Sequence, residues 1–87
     1  MTLGLSEVSN LKPGTKLWLY IDDRGAVTRS RAVVRIGPKA GRLGLDVDVG
    51  DRHPERWIWS LRRNRLMRDG GPLVGKGEWL ELRDADD

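Results

Sequence analysis

Strict alternation of apolar and polar side chains is the feature that most limits the fold of this chain. In "RLGLDVDV" (42–49), leucine and valine fall on one face and aspartate on the other. "KLWLYID" (16–22) repeats the pattern, with Trp18 and Tyr20 opposite the aliphatic face. A period of two places alternate side chains on opposite faces of a β-strand, whereas a helix needs a period of 3.6. The sequence therefore predicts strands in both segments.

Three further segments have the pattern of strands between turn signals. They are "AVTRSRAVVRI", "GEWLELR" and, as a candidate first strand, "LGLSEV" (26–36, 77–83 and 3–8). Turns such as "KPG", "DDRG" and "GPKAG" separate the segments, because proline and glycine supply the backbone angles that turns require. In the first segment we expect Ala32, Val34 and Ile36 on the inward face. In "GEWLELR" we expect Leu80 and Leu82 there.

The segment "ERWIWSLRRNRLMR" (55–68) holds two of the four tryptophans and five arginines. On a helical wheel its apolar residues scatter around the whole circumference, so no amphipathic stripe forms. Tryptophan and isoleucine favour strands. We therefore expect a strand over 56–62 that carries Trp57 and Trp59 on one face, followed by a turn near Asn64.

The hairpin formed by 26–36 and 42–49 predicts how its charges pair. Inward residues must pair with inward residues, because a slip of one residue turns every side chain to the other face. The predicted registers pair residues whose numbers sum to 77 or 79, and they place Arg31 opposite an aspartate of the second strand. Cross-strand pairs of this kind contribute about 0.2–1 kcal/mol. Arg35 has no acid opposite it in either register.

Five or six short strands in 87 residues predict an all-β fold. The expected architecture is a small single-domain β-barrel or a strongly twisted antiparallel sheet over 1–83, followed by an acidic tail at 84–87. The chain has no cysteine, so it has no disulfide framework. It shows no secretory leader and no run of about 20 apolar residues. We therefore expect a cytoplasmic protein with no membrane association.

Catalytic chemistry has little support in the sequence. The single histidine, His53, precedes a proline in a predicted loop. No nucleophile elbow, phosphate-binding loop or metal-ligand spacing occurs. We expect a protein that is not an enzyme and that uses neither a metal nor another cofactor.

Positive charge is concentrated in one part of the chain. Residues 51–68 carry six arginines and two acids, whereas 69–87 carry two basic residues and six acids. Arginine density suits contacts to phosphates, and aromatic faces suit stacked bases. The leading hypothesis is a regulator that binds RNA or single-stranded DNA through 56–68. The predicted contact residues are Arg35, Arg56, Arg62, Arg63, Arg65 and Arg68.

Aromatic residues outside the predicted core support an alternative hypothesis. Trp57 and Trp59 are expected in the core, because a chain without phenylalanine needs tryptophan for bulk. Trp18 and Tyr20 instead lie opposite the inward face of their own strand, where they form a candidate contact surface for a partner. The alternative is a protein-interaction module such as a homodimer, or a small inhibitor or adaptor encoded by a mobile element.

Two stretches resemble known β-barrel regulators. "KPGTKLWLYIDD" followed by "RLGLDV" is similar to the carbon storage regulator family, which are small RNA-binding dimers. "LKPGTKLWLYIDD…AVVRIGPKAGRLGLDV" (11–47) resembles the later strands of the PilZ family of barrels, which bind cyclic dinucleotides. Both resemblances imply a small β-barrel. The binding motifs of neither family stand at matching positions here, so no binding residue is carried over from them.

Overall fold

The computed structural model describes residues 3–38, 43–50, 53–70 and 76–83. This part of the chain contains one short helix and six strands, which are α1 (Leu5–Ser9), β1 (Lys16–Asp23), β2 (Ala26–Ile36), β3 (Gly44–Val49), β4 (Glu55–Ser60), β5 (Arg65–Arg68) and β6 (Lys76–Leu82). The strands form one antiparallel sheet in the order β5-β4-β3-β2-β1-β6. The sheet curls until β5 and β6 meet, giving a nearly closed barrel. The predicted all-β class is confirmed. The predicted acidic tail lies outside the described residues.

The core fills the inside of the barrel with the residues that alternate inward on each strand. Trp57 and Trp59 are 0% and 7% exposed, so their predicted place in the core is confirmed. Leu80 is buried as predicted, whereas Ile36 and Leu82 are exposed. A bulge in β2 after Val34 turns Ile36 out of the alternation, and Leu82 is the last residue of β6. The other strand residues of the core are Leu17, Leu19, Ala32, Val34, Leu45, Val47, Val49 and Leu66.

The prediction of a strand over 3–8 is wrong, because this segment forms α1. Val8 is the buried residue of α1, Leu11 just beyond the helix is also in the core, and Leu5 is exposed. Glu7 Oε2 accepts a hydrogen bond from the backbone N of Gly4 at 2.6 Å, which satisfies one of the free donors at the helix start. The helix covers one part of the core. No helix among the described residues is long and apolar enough to cross a membrane.

The predicted registers of β2 against β3 are also wrong. Ala32 lies opposite Val49, whereas the predictions place it opposite Leu45 or Val47. Inward residues still pair with inward residues. The connection between β2 and β3 is longer than the predicted loop "GPKAG", because β3 starts only at Gly44. Part of that connection, residues 39–42, lies outside the described residues. As a result, Arg31 lies beyond the end of β3 and faces no aspartate of that strand.

Candidate functional site

The basic segment forms a hairpin made of β4, a turn over 61–64 and β5. The Oγ of Ser60 accepts a hydrogen bond from the backbone N of Arg63 at 3.1 Å. Asn64 has a φ of 53°, in the left-handed region that asparagine tolerates better than most residues. The predicted turn near Asn64 is confirmed. The strand ends at Ser60, two residues before the predicted end, because these contacts begin the turn there.

Two arginines of this turn and the first residue of β5 lie together, and we call Arg62, Arg63 and Arg65 the basic tip. All three are exposed, and none forms an ion pair with another residue in the part of the chain that the structure describes. Leu61 beside them is 86% exposed. Three unneutralised charges in four consecutive residues produce a local positive potential. The hairpin therefore exposes them to solvent at its end, on the turn and the start of β5.

Arg56 and Arg35 lie on the outside of the barrel, away from the turn. Arg56 is exposed on β4, where it stands opposite Asp46 of β3. Arg35 is exposed on β2, and its Nη1 lies 3.9 Å from Asp48 Oδ1. The expectation that no acid answers Arg35 is wrong, because the observed register brings Asp48 close to it. A row of β3 carboxylates thus separates these two arginines from each other.

Arg68 differs from the other predicted contacts because it points into the barrel. Its Nε donates a hydrogen bond to Glu78 Oε2 at 2.7 Å, and its Nη1 forms an ion pair with Glu55 Oε2. The guanidinium also lies 5.6 Å from the ring centroid of Trp57. The side chains of Glu78 and Glu55 are 2% and 9% exposed. Arg68 is therefore held by contacts within the fold, in contrast to the exposed basic tip.

These contacts join the two ends of the sheet. Arg68 belongs to β5 and Glu78 to β6, and no ladder pairing links these two strands among the described residues. A cavity of about 400 Å³, which we call the seam cavity, opens between them. Its lining includes buried Trp57 and Leu80, the half-buried Trp79, and Arg65 of the basic tip. The basic tip and the seam cavity therefore adjoin each other along β5.

The predicted partner residues, Trp18 and Tyr20, lie on the outer face as expected, where both are half-buried. The Arg29 guanidinium lies 4.0 Å from the Trp18 ring centroid, and Arg83 lies 5.3 Å from it. Tyr20 stacks on Trp79, with centroids 5.2 Å apart and planes at 3°. These rings already have partners within the fold. They form a continuous aromatic row, although the faces of the rings are partly covered.

Metal chemistry has no support in the described residues, where no group of three or more histidine, cysteine, aspartate or glutamate side chains is placed to hold an ion. His53 is exposed in the segment that precedes β4. The seam cavity contains charged and aromatic groups but no nucleophile held against a base. Its chemistry is that of hydrogen bonding, stacking and ion pairing.

No family model, curated protein or solved structure matches this chain. The resemblance to the carbon storage regulator and PilZ families therefore stays a prediction.

Proposed function

We propose that this protein is a non-enzymatic regulator that binds single-stranded nucleic acid, with the basic tip holding the phosphate backbone. The observation that carries the proposal is the state of Arg62, Arg63 and Arg65. All three are exposed at the end of the β4–β5 hairpin, and none forms an ion pair with the described residues. Phosphates supply the missing negative charge, and release of their counterions drives the association.

Several other arginines have contacts within the fold, which makes the basic tip distinct. Arg35 lies near Asp48, Arg68 is held by two glutamates, and Arg83 donates to the carbonyl oxygen of Ala32 at 3.0 Å. Arg29 covers the ring of Trp18. Within the part of the chain that the structure describes, no ion pair involves the basic tip, and its like charges repel one another. Ion pairs therefore do not stabilise the fold through these arginines. A structural role of that kind does not explain why they are clustered.

A single strand suits this surface better than a duplex. Among the described residues the only helix has five residues, too short to read a major groove. The basic tip is narrow, and it adjoins a cavity with tryptophans in its lining. Single strands offer unstacked bases to such groups while their phosphates meet the arginines. Both RNA and single-stranded DNA have these properties.

The test compares two variants with the same loss of charge. Fluorescence anisotropy of short labelled RNA and DNA strands measures affinity at low salt. Replacing the basic tip by alanine should weaken binding at least tenfold. The control removes three exposed charges from β1 and its flanking turns through Lys12→Ala, Lys16→Ala and Arg24→Asn, and it should weaken binding much less. Equal loss in both variants would show only a general charge effect and would refute the assignment to the basic tip.

A protein partner on the aromatic row is the second candidate, because Trp18, Tyr20 and Trp79 form a continuous row on the outer face. Aromatic residues with nearby arginines are enriched in the cores of protein interfaces. Sedimentation velocity of the free protein tests the homodimeric form of this candidate. A dimer that Trp18→Ser converts to a monomer would support it, and a wild-type monomer at high concentration would refute that form.

A further inference from the structure

The seam cavity has the size of a small-molecule site. Its volume of about 400 Å³ falls within the usual range of ligand pockets, roughly 300–1,000 Å³. It opens where the barrel is not closed by strand pairing, so a ligand reaches it without disrupting the sheet. Apolar side chains from three parts of the chain contribute to the lining, namely Leu3, Leu66 and Leu80.

Two buried polar atoms of the lining residues lack partners. Trp57 is fully buried, and its indole Nε1 has no hydrogen-bond acceptor. The carboxylate of Glu78 receives Arg68 on Oε2, but its Oε1 is buried without a donor. Buried donors and acceptors are normally satisfied, because a lost hydrogen bond to water has to be replaced. Both atoms belong to residues that line the cavity, one a donor and the other an acceptor.

The formal charges of the lining favour a neutral ligand. Two acidic residues, Asp22 and Glu78, are balanced by Arg65 and Arg68. A cationic ligand would compete with Arg68 for the Glu78 carboxylate. An anionic ligand would be repelled by that same carboxylate. A neutral molecule with its own donor and acceptor satisfies the two unpaired atoms without adding charge.

The tryptophan of the inner lining favours a flat ligand. Trp57 lines the cavity, and indole rings stack well on planar heterocycles. The ring of Trp79 is instead stacked on Tyr20. Among nucleic-acid components, the nucleobases are neutral, planar and equipped with both kinds of hydrogen-bonding group. A phosphate or a sugar lacks this combination.

We propose that the seam cavity binds one unstacked nucleobase of the strand that the basic tip holds. A base N–H donates to Glu78 Oε1, and a carbonyl oxygen or ring nitrogen of the base accepts from Trp57 Nε1. This inference rests on the proposed function. Arg65 links the two surfaces, because it belongs to the basic tip and also lines the cavity. A strand anchored at the tip therefore meets the cavity directly.

The experiment compares a strand that carries bases with an abasic strand of the same length. Binding to the basic tip alone gives equal affinity for both, whereas the cavity adds affinity only for the strand with bases. We expect at least a tenfold preference for bases in the wild type. Gly77→Val narrows the cavity and should remove that preference while abasic binding stays unchanged. A Cβ at Gly77 meets Asp22 Cβ at 3.7 Å, an ordinary contact, so the variant should fold. Ala26→Val adds aliphatic bulk on exposed β2 as a control.

Binding of free nucleosides is a second measurement, and it does not depend on the basic tip. In ¹H–¹⁵N spectra the indole resonance of Trp57, assigned with Trp57→Phe, should shift saturably with at least one of adenosine, guanosine, cytidine and uridine. Gly77→Val should abolish that shift, and Ala26→Val should not. A shift without binding of any strand would support the cavity as a base site and refute the proposed function.

Three other results distinguish base binding in the seam cavity from strand binding by the basic tip. Equal, salt-dependent affinity for the abasic and the base-carrying strand in the wild type would refute the cavity inference and leave the basic tip standing. A preference for bases that persists in Gly77→Val would place base recognition elsewhere and also refute the inference. If no strand binds and no nucleoside shifts Trp57, both proposals fail.

Discussion

Replacing Arg68 with methionine should be among the most destabilising single changes in this chain. Methionine keeps an unbranched apolar stem but removes the guanidinium charge that contacts Glu55 and Glu78. Both carboxylates have side chains under one tenth exposed, so water replaces the lost partner poorly. Removing one partner of a buried ion pair costs about 3–5 kcal/mol. Small domains unfold with a total of about 5–15 kcal/mol, so this variant loses a large fraction of its stability.

Urea denaturation, followed by tryptophan fluorescence, measures this loss as a shift of the midpoint at constant slope. Arg65→Met is the matched control, because Arg65 is exposed on the same strand and should stay within about 0.5 kcal/mol of the wild type. Adding Glu55→Gln and Glu78→Gln to Arg68→Met should restore part of the stability, since the cost arises from buried carboxylate charge that Arg68 no longer balances. If Arg68→Met were as stable as Arg65→Met, the seam would not depend on this ion pair.

Three further predictions concern single positions. Arg24 has a φ of 55° in a two-residue turn with Gly25, where asparagine is preferred, so Arg24→Asn should raise the free energy of unfolding by about 0.5–1 kcal/mol in urea titrations. Asn64→Gly should be neutral, whereas Asn64→Val should cost about 1–2 kcal/mol and lower the melting temperature, because valine tolerates a positive φ poorly. Trp57→Ala should lower the free energy of unfolding by about 3–5 kcal/mol or prevent folding. Trp18→Ala should lower it clearly less, because Trp18 is only half-buried, and calorimetry of both variants measures the difference.

Alternation identified most of the barrel from the sequence. The inward residues of β1 and β3 and the two core tryptophans follow directly from a period of two. The bulge that exposes Ile36 and the length of the β2–β3 connection have no comparable local signal, so the register was wrong. The segment at 3–8 is short and contains no clear alternation beyond Leu3 and Leu5. Its helix is fixed by the packing of Val8 and Leu11 against the barrel.

The candidate site was predictable in part. The density of arginine pointed to the hairpin, but sequence could not separate Arg68 from Arg65 by charge alone. The alternation within β5 does contain the signal, because Arg68 shares the inward side of Leu66. Trp79 and Glu78 were missed as site residues, because only closure of the barrel brings β6 beside β5. Such non-local proximity is a property of topology that no short pattern records.

The dependence of strand affinity on salt concentration reports how many phosphates the basic tip contacts. Three phosphate contacts to a single strand give a slope of log affinity against log salt near −2, which is roughly a 20-fold loss between 50 and 200 mM salt. If the basic tip holds the phosphates, the wild type has this slope. The slope is close to zero when Arg62, Arg63 and Arg65 are all alanine. No binding at 50 mM salt, or the same slope in both proteins, would contradict phosphate binding by the basic tip.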